Sequence, residues 1–419
     1  MTDSINLNSV LLVGQVNDAE LSSVLLMHFG NAMSGMSNEA HFSHRDKNKS
    51  GNIKLTYRNG EIISADGSNL KTEDITLLAD KVKRELVETP GTVPARCILL
   101  SSFRVTGSFG HGNLCIYPVP DDAPKAPDLT YEQRFAEQLT IEHPFVAEFP
   151  INRSVNFVIQ FERLEREARK YALLLNLFLE GKVSRVSRGR QRHWVHEEGA
   201  DLFSGYKYLR EGYRYNNFGD TGIEPSFFLR NVFPPMETMR YNEYFTDTRN
   251  DLNPPMRVST LLPTFLDRFD RLNKAQQARF LRSAFWFHHA SNVSQESNSA
   301  AYLAIISSIE TLRPSVSSNA QCEKCGKSLG KGATQRFIDF LNEMVPTSER
   351  DKKERRELYS LRSGLTHGGD LFHSDTEALR GTNPKSANEF HSYTIAMDLA
   401  REALLNWLMK TTGGWPMTD

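Results

Sequence analysis

The sequence predicts an α+β N-terminal region followed by an all-α C-terminal helical bundle. Between Gly51 and Pro120, short apolar–polar alternations sit between turn signals. From Ala275 onward, apolar residues recur at helical spacing with short connections. Between these regions, Gly199 to Pro263 is rich in Gly, Asn, Tyr and Pro and follows neither period. The chain accordingly divides into an α+β domain over 1–127, a mixed region over 128–271, and a bundle over 272–411.

In order along the chain, Ile53, Leu55 and Tyr57 alternate with polar residues, and Asn59-Gly60 supplies a hairpin turn before Ile62-Ile63. After Thr72, Ile75, Leu78, Val82 and Leu86 share a helical face, and Glu73 and Asp74 suit its N-terminus. Cys97 to Val105 and Leu114 to Val119 read as strands around the turn Gly107 to Gly112, and a proline-rich connector closes the unit at Pro127. Phe157 to Glu180 reads as a long helix stopped by Gly181. Arg185 to Val195 is compatible with a strand, and the irregular stretch after it should hide short strands. Pro-Pro-Met occurs at 234–236 and 254–256, too brief a match to predict a repeat. Five helices follow, over 275–289, 299–312, 334–344, 348–366 and 388–410, an arrangement that suggests an antiparallel bundle.

Lysine and arginine total 50 against 51 acidic residues, so no whole-molecule field draws the chain to nucleic acid or anionic membrane, and such binding must come from local patches. The N-terminus lacks the pattern of a signal peptide, and the greasiest run, Tyr171 to Leu179, is too short to span a bilayer. Four cysteines in a chain of 419 residues make no disulfide framework, which points to the cytoplasm. Cys97 and Cys115 read as buried thiols. His41-x-x-His44 is too sparse for a metal site, and the glycine run at 107–112 lacks the helix a phosphate-binding loop requires. The strongest basic patch is Arg185, Arg188, Arg190 and Arg192 beside Trp194, with Lys182 and His193. It suits either an RNA-binding surface that grips phosphates and stacks bases or a solvated strand face.

Four C-terminal stretches carry a resemblance: RFLRSAFWFHHA (279–290), AYLAIISSIETL (301–312), CEKCGK with ATQRFIDFL (322–341), and ELYSLRSGLTHGG (357–369). Over Leu272 to Lys410, a third of the chain, the sequence resembles the HEPN superfamily and within it the Apea-like group. The resemblance implies a helical bundle that dimerises and brings two Arg-x4-His elements, here Arg362 and His367, to one cleft. In active members such elements cleave RNA without a metal, and relatives take part in antiviral defence or toxin-type growth arrest.

The chemistry suits the residue types. RNA carries its own nucleophile, the 2′-hydroxyl, which attacks the neighbouring phosphate once a base takes its proton and a cation steadies the developing charge. Imidazole exchanges protons near neutral pH, and guanidinium offers a fork matching two phosphate oxygens. Neither role needs a metal cofactor, and DNA, lacking the 2′-hydroxyl, should not be cut. Five positions on a helix separate two side chains by about 140° and about 7.5 Å, so Arg362 and His367 of one copy do not lie side by side. That geometry calls for a homodimer.

Other residues join the expected site. Arg355, Tyr359 and Arg362 share a helical face on which Arg355 would lead RNA inward. Glu310, where the family often has an acid, either orients Arg362 or His367 or forms a structural salt bridge. Ser363 follows the arginine where active relatives often carry Asn, Asp or His, and it suits either a phosphate hydrogen bond or a module that dimerises and binds RNA or a protein without cutting. Cys322-x-x-Cys325 is half of a structural zinc site, to be completed across a dimer or by histidines, or else a metal-free turn.

Overall fold

The computed structural model describes residues 5–34, 38–44, 51–58, 60–88, 91–119, 143–154, 156–185, 233–244, 255–294, 296–313, 332–346, 349–376 and 384–414. An α+β N-terminal region with antiparallel sheets precedes a helical C-terminal part. The chain forms two compact units that interleave along the sequence. One comprises 1–97, 148–168 and 216–226, and the other 98–147, 169–215 and 227–419. Neither has its ends at 127 or 271.

The first unit contains a five-stranded antiparallel sheet of β1 (Ile5–Asn6), β2 (Gly30–Ser34), β3 (Glu39–His44), β4 (Asn52–Arg58) and β5 (Glu61–Ser68), in the order β1-β5-β4-β3-β2. β4 and β5 are the hairpin the alternation predicts. Arg58 pairs with Glu61, and Gly60 adopts φ +84°, which a two-residue turn requires and glycine supplies without strain. Ile53, Leu55, Ile62 and Ala65 face a core closed by Leu21, Val24 and Leu25 of α1 (Asp18–Phe29) and by Leu78 and Val82 of α2 (Thr72–Leu86).

α2 starts one position earlier in capping terms than Thr72 suggests. Lys71 is the cap residue, so Asp74 falls at the third helical position and its carboxylate accepts the Lys71 N–H at 3.2 Å. α1 was not anticipated, although its signals are local. The Asn17 side chain accepts from the Ala19 and Glu20 N–H groups, and Gly30 ends the helix at φ +77°. Behind α1, buried Glu20 receives Arg163 at 2.7 Å and Arg166 at 2.8 Å, both from α3 (Phe157–Phe178). His41 and His44 are three positions apart on a strand and face opposite sides of it; His41 lies 3.4 Å from Glu39 and His44 packs on Phe29.

A second sheet orders β10 (Val183–Arg185), β6 (Thr92–Ser101), β9 (His143–Asn152), β8 (Leu114–Pro118) and β7 (Phe109–His111) as β10-β6-β9-β8-β7. The expected glycine turn is half strand: β7 and β8 form a hairpin joined by Gly112-Asn113. Cys97 and Cys115 are buried.

The irregular stretch does hold short strands, and two of them begin two residues beyond the two Pro-Pro-Met matches. β11 (Thr238–Met239) lies parallel to β12 (Val258–Ser259), with Thr238 opposite Val258 and Met239 opposite Ser259, the same twenty-residue offset as the motifs themselves. Both segments bond to one stretch of backbone: Ser108 N–H donates to Pro234 O at 2.7 Å, Met236 N–H to Ser108 O at 2.9 Å, and Met256 N–H to Arg104 O at 2.8 Å. Met236 and Met256 are buried beneath. Beside them, Tyr244 of α4 (Tyr241–Tyr244) donates its hydroxyl to Arg257 O at 2.8 Å, and Arg257 pairs with Glu180 at 3.0 Å.

The helical part comprises α5 (Leu262–Arg271), α6 (Lys274–Val293), α7 (Asn298–Leu312), α8 (Ala333–Met344), α9 (Glu349–Thr366), α10 (His373–Thr376) and α11 (Pro384–Thr411). α5, unanticipated, begins with a proline in its first turn and buries Phe265, Leu266 and Phe269. α6 and α11 are antiparallel, because Phe280 stacks on Trp407 while Phe287, two turns later, meets Arg401. α6 and α7 pair through buried Ser283 and Ser308, each hydroxyl donating to the other's carbonyl at 2.7 and 2.8 Å. No helix among the described residues is long and apolar enough to cross a membrane.

Candidate active site

α9 carries Arg362 and ends beside His367. Leu358 and Leu365 are buried and Leu361 half-buried, the stripe that fixes which face turns inward. Tyr302 of α7 donates its hydroxyl to Leu358 O at 2.7 Å, and Phe337 of α8 packs on the Tyr359 ring at 4.7 Å. The helix stops at Thr366, one residue before the histidine. Gly368 takes φ +69°, its N–H donates to Leu365 O at 3.3 Å, and Gly369 N–H donates to Gly364 O at 3.2 Å. This pair of bonds is a Schellman ending, and it makes His367 the C-cap residue. His367 is exposed, and its ring has no hydrogen-bond or ion-pair partner among the described residues. Gly364 makes room for Asp370, whose Oδ2 would lie 2.8 Å from a Cβ there.

Glu310, on the last turn of α7, is the hub. Its Oε1 accepts the Tyr359 hydroxyl at 3.1 Å and lies 3.2 Å from Arg313 Nη2, while its Oε2 lies 3.3 Å from Arg362 Nη2. The Arg362 guanidinium also sits over the Tyr359 ring, 5.5 Å from its centre. Burial pushes the Tyr359 hydroxyl above its ordinary pKa, and the Glu310 charge pushes it further. The ring therefore stays protonated as a donor to Glu310. Glu310 thus contacts Arg362 and also forms a salt bridge with Arg313 at the end of its own helix; no contact joins it to His367 among the described residues.

The arrangement holds a guanidinium against Glu310, its side chain 29% exposed, on a helix that ends just before an exposed imidazole. Such groups can bind an oxyanion and exchange a proton. Ser363 is half-buried on the same turn, and its carbonyl accepts the His367 N–H at 3.2 Å.

The expectation for Arg355 is corrected. It shares a helical face with Tyr359 and Arg362 but is only 2% exposed. Its guanidinium donates to Asn342 Oδ1 at 2.7 Å and to Val345 O and Pro346 O at 3.2 and 3.4 Å, closing the C-terminus of α8. It is a structural cap, because α8 ends directly over it. Arg185 is half-buried at the end of β10, on an edge of the second sheet. Arg188, Arg190, Arg192 and Trp194 lie outside the described residues, as do Cys322 and Cys325. Among the described residues no cluster of His, Cys, Asp or Glu could hold a metal ion.

Arg313 was missed by sequence reasoning. It lies three positions after Glu310, a spacing that places the two on one helix face, and that signal was available. No family model, curated protein or solved structure matches this chain.

Proposed function

We propose that this protein is a metal-independent endoribonuclease that acts on RNA as a homodimer through an HEPN-type helical module formed by the C-terminal helices, with Arg362 and His367 as its catalytic residues. The observation that carries this reading is the contrast between the two groups. Arg362 is held by Glu310 and Tyr359, while His367, just past the end of the same helix, presents a ring with no partner among the described residues. In this scheme His367 moves the proton of the 2′-hydroxyl and Arg362 binds the phosphate oxygens. The products are a 2′,3′-cyclic phosphate and a free 5′-hydroxyl. A cytoplasmic setting and a role in defence or toxin-type growth arrest accompany the reading.

The purified chain should cut single-stranded RNA in EDTA and leave single-stranded DNA intact. His367→Ala should lose activity by about 10²-fold or more, the range for a positioned proton-transfer group. Cutting by His367→Ala at the wild-type rate rules the assignment out. One observation favours a second reading, in which the module dimerises and binds RNA or a protein without cutting: the Arg362 charge faces a carboxylate 3.3 Å away. RNA binding with no product under any metal condition would select it.

A further inference from the structure

The Arg362 guanidinium must carry positive charge toward an anion, yet it lies 3.3 Å from Glu310. A lone Arg–Glu pair presents no net charge and holds a phosphate weakly. A second guanidinium removes this obstacle. Arg313 Nη2 is 3.2 Å from the opposite oxygen of the same carboxylate, and its Nη1 donates to Ala333 O at 3.1 Å. Two guanidinium groups share one carboxylate, and Tyr359 adds a neutral donor. The cluster therefore keeps one net positive charge, in partly exposed side chains.

The C-terminus of α7 would ordinarily offset that charge with its free carbonyls. Here Arg279 covers them, donating to Thr311 O at 3.0 Å, to Leu312 O at 2.6 Å and to Arg313 O. Arg362 makes one contact with Glu310 through Nη2 and no other hydrogen bond among the described residues, which leaves Nε, Nη1 and the second Nη2 hydrogen available to an anion.

We propose that Arg313 is a positioning residue that neutralises Glu310, so that Glu310 can hold the Arg362 guanidinium in place without cancelling its charge toward an RNA phosphodiester. The proposal rests on the reading of Arg362 as the phosphate-binding group. Its signature is electrostatic, because each phosphate contact to single-stranded nucleic acid contributes about 0.7 to the slope of log affinity against log salt.

The test uses the full chain and a 2′-O-methyl RNA oligonucleotide, which cannot be cut by 2′-hydroxyl attack. Arg313→Gln should weaken binding several-fold and reduce the salt slope by about 0.7, Arg313→Lys should retain most of both, and Arg313→Gln with Glu310→Gln should recover the slope. A merely structural role for Arg313 predicts no recovery in the double variant. Should Arg313→Gln fail to fold, Glu310→Gln alone carries the test, since removing the carboxylate should leave the slope at or above the wild-type value. An unchanged slope in Arg313→Gln, no recovery in the double variant, a fall in Glu310→Gln, or no binding by the wild type overturns the proposal. Cleavage of ordinary RNA is scored separately. Salt slopes that follow this pattern without any cleavage sink the ribonuclease assignment and leave the role of Arg313 standing.

Discussion

Arg355 and Arg362 are seven positions apart on α9 and share a face, yet one is buried and the other meets solvent. Helical periodicity reports the direction of a side chain, and depth depends on what the rest of the chain lays over it. Above Arg355 lie the carbonyls just past the end of α8, which need a donor; above Arg362 lies, among the described residues, the end of α7 with Glu310. The same residue type at the same phase therefore becomes a cap in one place and a candidate catalytic group in the other. Arg355→Ala should cost about 2–4 kcal/mol, because it leaves buried acceptors without a charged donor. Urea unfolding measures that loss. Any fraction that remains folded should bind RNA with the wild-type salt slope, and a reduced slope would return Arg355 to the RNA surface.

At the scale of elements, the long helices were legible and the short strands were not. α2, α3, α6 to α9 and α11 announce themselves through apolar positions at helical spacing, a signal each segment carries within itself. β11 and β12 are two residues each and exist because a segment twenty positions away runs beside them and because residues 104–108 bond to both. Nothing local to either segment specifies that partnership. The doubled Pro-Pro-Met was its one trace, and its brevity made it easy to set aside. Three arginines show the same limit: Arg268 donates to Thr412 O at 2.5 Å, and Arg279 and Arg355 close α7 and α8. Each caps a helix other than its own, favoured by the negative end of the helix dipole. The paired-strand arrangement makes a sharp prediction at Gly107, where an added Cβ would lie 2.7 Å from Pro234 O and 2.9 Å from Met236 N. Both are backbone atoms and cannot rotate away. Gly107→Ala should destabilise the protein by about 1–3 kcal/mol, the usual cost of overpacking, seen as a lower Tm. A Tm equal to wild type would mean that this junction yields freely.

For the whole molecule, near-neutral net charge leaves global stability against pH to a few groups whose protonation differs between folded and unfolded chains. His288 on α6 is the main one. Burial lowers its pKa to about 4, the Lys182 charge adds to the effect, and its hydrogen bond to the Val183 backbone pulls the other way. The folded state thus prefers the neutral ring. Above pH 6.5 the ring is neutral in both states, and the full stabilisation is present. As pH falls below 6.5 the unfolded chain takes up a proton that the folded chain refuses, and stability drains until the folded group also titrates near pH 4. The loss over that window is about 3 kcal/mol. Asp398 and Glu402 act with the opposite sign, since burial raises both carboxyls and their protonation on acidification favours the folded state. The wild-type curve alone therefore mixes the two effects. Comparison with His288→Gln separates them, because the carboxyls are common to both proteins. The unfolding free energy of wild type relative to the variant should fall by about 3 kcal/mol between pH 7 and pH 4. A difference that stays flat across that range would mean that His288 takes up its proton equally well in the folded bundle.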